Sequence, residues 1–239
     1  LPIFLLYKIG TIKKIFILII SSILVLSFYI YGSYELNKNK NFLKTIENKI
    51  NIKIISPNFN LEYGLNINQI ENKLKKLIRY SEPNINKKTI FIWPEGVFSG
   101  YSFDEIVIFK KLIKKNFRKN HYIIFGINNL DKDTGLFHNS LLLVNNEFEI
   151  LEKYNKQKLV PFGEFLPFEK LLSKLGLKKI TEGHGSFQKG KKQTNIRLDQ
   201  MSILPLICYE VIFTSLIQKS SMDTNLIVNI SEDLSLIHI

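Results

Sequence analysis

Twenty consecutive uncharged residues, Ile15 to Tyr34, constrain this chain more than any other feature of its sequence. A helix of about 20 residues is roughly 30 Å long, which is the thickness of the hydrocarbon core of a bilayer. Tyr29 and Tyr31 lie with Tyr34 at the downstream end, where membrane helices carry an aromatic belt. A signal peptide is the alternative, but its apolar region has only about 7–15 residues and is followed by a small-residue cleavage site, which is missing here. The stretch therefore favours a transmembrane helix over residues 15–34.

Lysines flank both ends of this stretch and do not settle its orientation. Lys8, Lys13 and Lys14 precede it, and a larger group follows it: Lys38, Lys40, Lys44, Lys49 and Lys53. The positive-inside count alone leans towards a cytoplasmic C-terminal domain, but long domains cross membranes largely regardless of charge. We interpret residues 1–14 as a flanking segment, the remnant of an upstream membrane region.

The overall charge of the chain is strongly basic. Its 239 residues carry a net charge of +12, and 45% of them are hydrophobic, enough for one sizeable domain. Such a charge would ordinarily suggest nucleic acid or an anionic membrane surface as the partner. The chain has only three arginines, however, and arginine is preferred for bidentate contacts with phosphates and bases. We therefore expect no nucleic-acid function.

A single cysteine, Cys208, and four dispersed histidines limit the metal chemistry of the chain. One cysteine excludes an intrachain disulfide framework and a cysteine-ligated structural zinc site. His121, His138, His184 and His238 are too far apart in sequence to form a local metal-ligand motif. We therefore expect no metal and no cofactor.

From about residue 50 to residue 239, short β-branched runs alternate with segments of helical periodicity. The runs predict strands at Ile52–Ser56, Thr89–Trp93, Tyr122–Ile127, Ser140–Val144, Phe148–Lys153, Ser202–Cys208 and Leu226–Ile230. The periodic segments predict helices at Asn66–Tyr80, Phe103–Arg118 and Tyr209–Lys219. This order indicates an α/β domain. Asn145 and Asn146, between two apolar runs, predict a tight hairpin turn and hence a mixed sheet.

Two stretches place charged groups beside predicted strand ends. Glu95, in IFIWPEGVFSG, follows an apolar strand and Pro94, a position suited to a raised pKa and general-base chemistry. The alternative is a loop glutamate that caps a helix. Lys156 and Glu164 lie in YNKQKLVPFGEFLP, an aromatic and proline-rich loop typical of the wall of a site. In a desolvated pocket such a lysine stabilises an oxyanion, although lysine is also the commonest surface residue of this chain.

Cys208 ends the apolar strand of SILPLICYEVIF, directly before a predicted helix. A helix N-terminus favours the thiolate, whereas a lone cysteine in an apolar strand is more often an inert core residue. Strand ends at one edge of a sheet converge on one pocket. There we expect Glu95 to take the thiol proton, Cys208 to attack a carbonyl and Lys156 to support the oxyanion.

Three motifs occur in a specific order: Glu95 after Trp-Pro, Lys156 in YNK followed by LVPFGE, and Cys208 in ICYE. In these motifs the chain resembles the carbon–nitrogen hydrolase (nitrilase) superfamily. With the preceding apolar helix it resembles the apolipoprotein N-acyltransferase family within it, from that helix to about Asp233. The resemblance implies an α/β fold, an α-β-β-α sandwich preceded by a transmembrane helix, and a triad of Glu95, Lys156 and Cys208.

The resemblance also implies further site residues, substrates and a location. Glu164 supports the triad, and Tyr209 and Glu210 bind substrate beside Cys208. The family transfers an acyl chain from a phospholipid to the cysteine as a thioester, and then to the N-terminal amine of a diacylglyceryl-cysteine apolipoprotein, without a cofactor. The implied partners are a phospholipid acyl donor, a diacylglyceryl apolipoprotein acceptor and the bacterial inner membrane, with the domain on its periplasmic side.

Two features depart from the family's pattern. The family has several membrane spans before this domain, of which one is evident here. After Asp233 the chain reads LSLIHI instead of continuing as the family does. From these departures we expect the carbon–nitrogen hydrolase-like domain at residues 50–239 to be incomplete at its C-terminus.

Two other functions stay open. The first is a membrane-tethered amidase that acts on a small amide, with water resolving the thioester. The second is an inactive membrane-anchored binding domain. The helix at residues 15–34 and the apolar loop Leu159–Phe168 favour the acyltransferase over the amidase, and the presence of Glu95, Lys156 and Cys208 argues against an inactive domain.

Overall fold

The computed structural model of the chain describes residues 10–47, 50–59, 62, 64–165, 167, 187–192, 194–218 and 224–231. The chain divides into two units, Leu1–Lys49 and Ile50–Ile239. Most of the predicted flanking segment and the divergent tail after Asp233 lie outside the described residues.

Within the first unit, the described residues 10–47 contain the helix α1 (Thr11–Glu47). Its segment Thr11–Lys38 is long and apolar enough to cross a membrane, judged by length and composition. Large apolar side chains along it are exposed, among them Val25, Phe28 and Tyr29 at 66%, 68% and 73%. A helix that is apolar on all sides is typical of a bilayer span, and the described helix extends beyond both ends of the predicted one.

The larger sheet of the second unit has five strands and mixed direction. The strands are β1 (Asn51–Ile54), β2 (Thr89–Ile92), β3 (His121–Leu130), β4 (Phe137–Val144) and β5 (Ile150–Asn155), in that spatial order. β1, β2 and β3 are parallel, and β4 pairs antiparallel with both β3 and β5. The predicted mixed sheet is therefore confirmed.

The connection between β4 and β5 is longer than the predicted two-residue turn. The N–H of Asn145 donates to the carbonyl of Glu149 at 3.1 Å, and the Asn145 side chain accepts from the N–H of Glu149 at 3.0 Å. Phe148 has a φ of 57°, a left-handed conformation that a strand residue does not adopt. The strand therefore begins at Ile150, two residues later than predicted.

The second sheet has three strands, β6 (Ile196–Leu198), β7 (Met201–Ile207) and β8 (Leu226–Ile230). β6 is antiparallel to β7, and β7 is parallel to β8. β7 and β8 correspond to predicted strands, whereas β6 corresponds to none. A three-residue strand with an exposed Arg197 at its centre is too short to show the alternation that predicts strands.

Helix α2 (Ile67–Ser81) covers one face of the larger sheet and confirms the predicted helix. It begins at a capping box, in which the side chain of Asn66 accepts from the N–H of Gln69 and the side chain of Gln69 accepts from the N–H of Asn66. Its helical period places one apolar stripe in the core: Ile70, Leu74 and Leu77.

The other two predicted helices are each interrupted. The first consists of α3 (Phe103–Ile106), a 3₁₀ turn (Val107–Phe109) and α4 (Lys110–Asn116). The second consists of a 3₁₀ helix (Cys208–Ile212) followed by α5 (Thr214–Gln218). Consecutive β-branched residues lie at both interruptions, and such side chains crowd the preceding turn of an α-helix.

Three apolar layers hold the second unit together. The first lies between α2, α3 and α4 and the outer face of the larger sheet. The second fills the space between the two sheets and includes Ile90, Ile124, Ile203 and Val228. The third joins the outer face of the smaller sheet to α5. The order of layers is helix, sheet, sheet, helix, as the resemblance implies.

Candidate active site

Three of the predicted site residues lie just after the C-terminal ends of strands. Glu95 comes three residues after β2, Lys156 directly after β5 and Cys208 directly after β7. The N–H of Glu95 donates to the carbonyl of Ser231, directly after β8, at 3.2 Å. Because Ser231 belongs to the smaller sheet and β2 to the larger one, Glu95 lies where the edges of both sheets meet.

The side chains of Glu95, Lys156 and Glu164 form one polar cluster. Lys156 Nζ lies 2.9 Å from Glu164 Oε1 and 4.0 Å from Glu95 Oε1. The side-chain amide of Asn139, on β4, donates to Glu95 Oε1 at 2.8 Å and to Glu164 Oε1 at 2.7 Å. Glu164 Oε2 accepts from the N–H of Val160 at 2.9 Å. The structure thus brings together three of the predicted residues and adds Asn139 to them.

The ammonium of Lys156 is buried but keeps its charge. Its side chain is only 2% exposed. Burial favours the neutral amine and pulls the pKa of Lys156 down, but the charges of Glu95 and Glu164 outweigh this effect and hold the pKa above its ordinary value. The site therefore presents a fixed positive charge in a region of low dielectric.

Cys208 adopts a backbone conformation that is costly for a residue with a side chain. Its φ is 56°, in the left-handed region, at the point where β7 ends and the 3₁₀ helix begins. Such strain costs on the order of 1–3 kcal/mol and is concentrated at functional sites. The Cys208 side chain is half-buried, and the N–H of Tyr209 donates to its sulfur.

The environment of Cys208 as a whole disfavours the thiolate, although the N–H of Tyr209, in the first turn of the 3₁₀ helix, favours it. Burial raises the pKa of Cys208, and the negative charge of Glu95 raises it further; the ammonium of Lys156 and the N–H of Tyr209 only partly offset this. The predicted helix is here a five-residue 3₁₀ helix, too short to carry a large dipole. Burial and the Glu95 charge therefore favour the thiol form over the thiolate.

Tyr209 and Glu210 occupy different environments beside Cys208. The ring of Tyr209 lies 5.5 Å from Lys156 Nζ, and its hydroxyl donates to the carbonyl of Leu159 at 2.6 Å. Glu210 is 0% exposed, and its carboxylate accepts hydrogen bonds from the protein itself. Tyr209 thus forms part of the site's wall, whereas Glu210 lies behind it.

The described residues contain no group of three or more His, Cys, Asp or Glu side chains arranged to hold a metal ion. What the arrangement provides is a thiol, a buried ammonium and two carboxylates. These are the groups needed for nucleophilic attack on a carbonyl with stabilisation of the oxyanion.

The family model of the carbon–nitrogen hydrolases matches residues 63–237 of the chain. The chain belongs to the carbon–nitrogen hydrolase family. All six predicted site residues of this carbon–nitrogen hydrolase lie within the matched segment, whereas the apolar helix α1 precedes it.

Within the carbon–nitrogen hydrolases, this chain is similar to proteins named apolipoprotein N-acyltransferase, which confirms the resemblance in the sequence. The protein from Wigglesworthia glossinidia brevipalpis is 33% identical, covering 91% of this chain and 46% of that protein. The protein from Bradyrhizobium diazoefficiens is 27% identical, covering 88% of this chain and 41% of that protein. The chain thus spans somewhat less than half the length of these relatives.

A carbon–nitrogen hydrolase from Helicobacter pylori has a solved structure to which this chain is similar. The TM-score is 0.49 at 14% identity, and the similarity covers 76% of this chain and 59% of that one.

Three further residues shape the site of this carbon–nitrogen hydrolase and are not among the predicted ones. Asn139 binds both carboxylates from the strand next to β5. Gly126, on β3, gives Glu95 room, because a Cβ there would lie 3.1 Å from the Glu95 Cα and 3.3 Å from its Cγ. Tyr154 donates to Glu210 from inside the core. A polar residue in an apolar strand, as in HNSLLLV, is the signal that could have singled out Asn139.

Proposed function

We propose that this protein transfers a fatty acyl chain from a phospholipid, through a thioester on Cys208, to the N-terminal amine of a diacylglyceryl-cysteine apolipoprotein. The observation that carries the proposal is the cluster of Glu95, Lys156 and Glu164, whose charges all act on the Cys208 thiol. The similarity to proteins named apolipoprotein N-acyltransferase and the apolar helix α1 support lipid-anchored substrates over soluble ones.

In the first half-reaction Glu95 removes the proton from the Cys208 thiol, and the sulfur attacks the ester carbonyl carbon of the phospholipid. The carbonyl oxygen becomes an oxyanion, and the Lys156 ammonium and the Tyr209 N–H stabilise its negative charge. The oxyanion collapses and the ester C–O bond breaks. The lysophospholipid oxygen then receives from Glu95 the proton that came from Cys208. The product is an acyl thioester of Cys208.

In the second half-reaction the N-terminal amine of the apolipoprotein attacks the thioester carbonyl. Glu95 accepts a proton from the attacking nitrogen, and the same positive groups stabilise the second oxyanion. The C–S bond then breaks, the Cys208 sulfur leaves and regains its proton, and the acyl chain remains on the nitrogen as an amide. The overall exchange requires neither an oxidant nor a cofactor.

The apolar helix and the similarity to the family support a location for this chemistry. We place α1 in the bacterial inner membrane, with residues 50–239 on its periplasmic side, since both proposed substrates are anchored in lipid. A lipid-anchored substrate reaches an anchored enzyme by diffusion in two dimensions, so the anchor maintains a high effective concentration.

Labelled phospholipid tests the proposal directly. The whole chain, inserted in vesicles of a phospholipid with a radiolabelled acyl chain, should acquire label that hydroxylamine releases. Cys208→Ala should acquire none. Addition of a diacylglyceryl-cysteine peptide should move the label to the peptide. Hydrolysis of a small amide with no labelling of Cys208 would instead indicate an amidase, and folded protein with neither activity would overturn the proposed acyl transfer.

A further inference from the structure

The carboxylate of Glu210 is a buried acceptor of four hydrogen bonds from three parts of the chain. Oε1 accepts from the N–H of Gln157 at 2.7 Å and of Lys158 at 2.9 Å. Oε2 accepts from the N–H of Ile207 at 3.0 Å. The hydroxyl of Tyr154 lies 3.0 Å from both oxygens. Breaking any one of these contacts leaves a buried polar group without its partner.

These hydrogen bonds surround two of the proposed reacting groups. Tyr154 precedes Lys156 by two residues, and Gln157 follows it directly. Ile207 directly precedes Cys208, and Glu210 follows it by two residues. The larger sheet supplies Lys156 and the smaller sheet supplies Cys208, so Glu210 links the two sheets at the site.

Neither member of this pair is positioned to touch a substrate. Glu210 is 0% exposed and Tyr154 is 1% exposed. Burial raises the pKa of Tyr154, and the charge of Glu210 raises it further, so the phenol keeps its proton throughout the neutral range. Tyr154 therefore serves as a permanent donor.

We infer that Tyr154 and Glu210 are positioning residues, which together hold the ammonium of Lys156 at a set distance from the sulfur of Cys208. The expected effect on the rate of acyl transfer rests on the proposed function, whereas the expected effect on the ionisation of the Cys208 thiol does not. An ammonium that lies closer to the sulfur stabilises the thiolate more, and a displacement of about 1 Å at a reacting group costs up to about a hundredfold in rate.

Tyr154→Phe tests this inference without changing any charge. Loss of the hydroxyl should loosen the Lys156 loop and weaken the effect of the ammonium on Cys208. The midpoint pH for alkylation of Cys208 by iodoacetamide should rise by about half a unit. Below the midpoint, the rate of alkylation should then be roughly threefold lower. Tyr101→Phe is the matched control, because it removes a hydroxyl that donates to the Leu65 carbonyl at 2.7 Å outside the site. Equal midpoints for Tyr154→Phe and Tyr101→Phe would overturn the inference.

Glu210→Gln tests the other member of the pair with nearly the same side-chain volume. It should shift the same midpoint, and the shift in the double variant with Tyr154→Phe should differ from the sum of the two single shifts, because both changes act on one shared hydrogen bond. The double variant of Glu210→Gln with Tyr101→Phe should be additive. An additive pair of Tyr154→Phe and Glu210→Gln would overturn the inference.

One test uses the unchanged protein and therefore does not require any variant to fold. In the unchanged protein the amides of Gln157 and Lys158 should exchange with deuterium slowly, since Glu210 binds both. Rapid exchange at both positions would overturn the inference. A shifted alkylation midpoint in a protein that never accepts an acyl group would support the positioning role and reject only the proposed function.

Discussion

Lys156 Nζ lies 2.9 Å from Glu164 Oε1, so the shortest ion pair of the site joins two residues of the same loop. The distance from Lys156 Nζ to Glu95 is longer, at 4.0 Å. The two carboxylates therefore differ in geometry. Glu164 makes the direct ion pair with the ammonium, and Glu95 lies farther from it and is the proposed base for Cys208.

Glu95→Gln should have opposite effects on two reactions of Cys208. Burial and then the charge of Glu95 raise the pKa of Cys208, so removal of that charge should lower the pKa. Alkylation of the thiol at pH 7 should therefore become about three to ten times faster. Acyl transfer should fall by about 10²–10⁴, because the general base is lost. Both rates are measured on the same preparation, and slower alkylation would contradict the prediction.

Lys156→Met should strongly destabilise the second unit. The change leaves Glu95 and Glu164 in the interior without the cation between them, a loss of roughly 3–5 kcal/mol in the free energy of unfolding. Denaturant titration in detergent measures the loss. Lys114→Met is the control, since it removes an equal charge from an exposed pair with Glu147. The denaturant concentration at which this variant is half unfolded should stay near that of the unchanged protein.

Asn139→Asp should raise the pKa of Cys208 and slow its alkylation. The amide of Asn139 donates to two carboxylates, and a third carboxylate in its place adds negative charge to the cluster. Negative charge near a thiol disfavours the thiolate. The pH dependence of alkylation provides the measurement. Ser140→Ala, which removes a buried hydroxyl bonded to Asn155, should leave that dependence unchanged.

Gly126→Ala should slow acyl transfer while Cys208 stays reactive. A Cβ at this position would lie 3.0 Å from Ile230 Cδ1 and 3.1 Å from the Glu95 Cα, so the Glu95 backbone must move. A displacement of the base by a few tenths of an ångström should lower the transfer rate by up to about tenfold. Alkylation of Cys208 in the same variant is the internal control, and an unchanged transfer rate would show that Glu95 tolerates the added methyl group.

The Glu210 side chain shows where inference from sequence ends. The resemblance implies that Tyr209 and Glu210 both bind substrate, and nothing in the letters YE separates their environments. In the fold, the ring of Tyr209 lies beside Lys156, whereas Glu210 turns into the space between the sheets. The directions in which the Tyr209 and Glu210 side chains point depend on the backbone angles of Cys208. No sequence pattern indicates a positive φ at a cysteine.

Local patterns alone determined much of this protein. The apolar stretch that forms α1, the capped helix α2, most of the strands and the motifs around Glu95, Lys156 and Cys208 are all evident from neighbouring residues, because burial and hydrogen bonding impose short periods on the chain. The tertiary structure alone decided that Asn139 joins two carboxylates, that Tyr154 supports Glu210 and that burial raises the pKa of Cys208. These properties depend on distances between residues remote in sequence, and only the packing of the two sheets sets those distances.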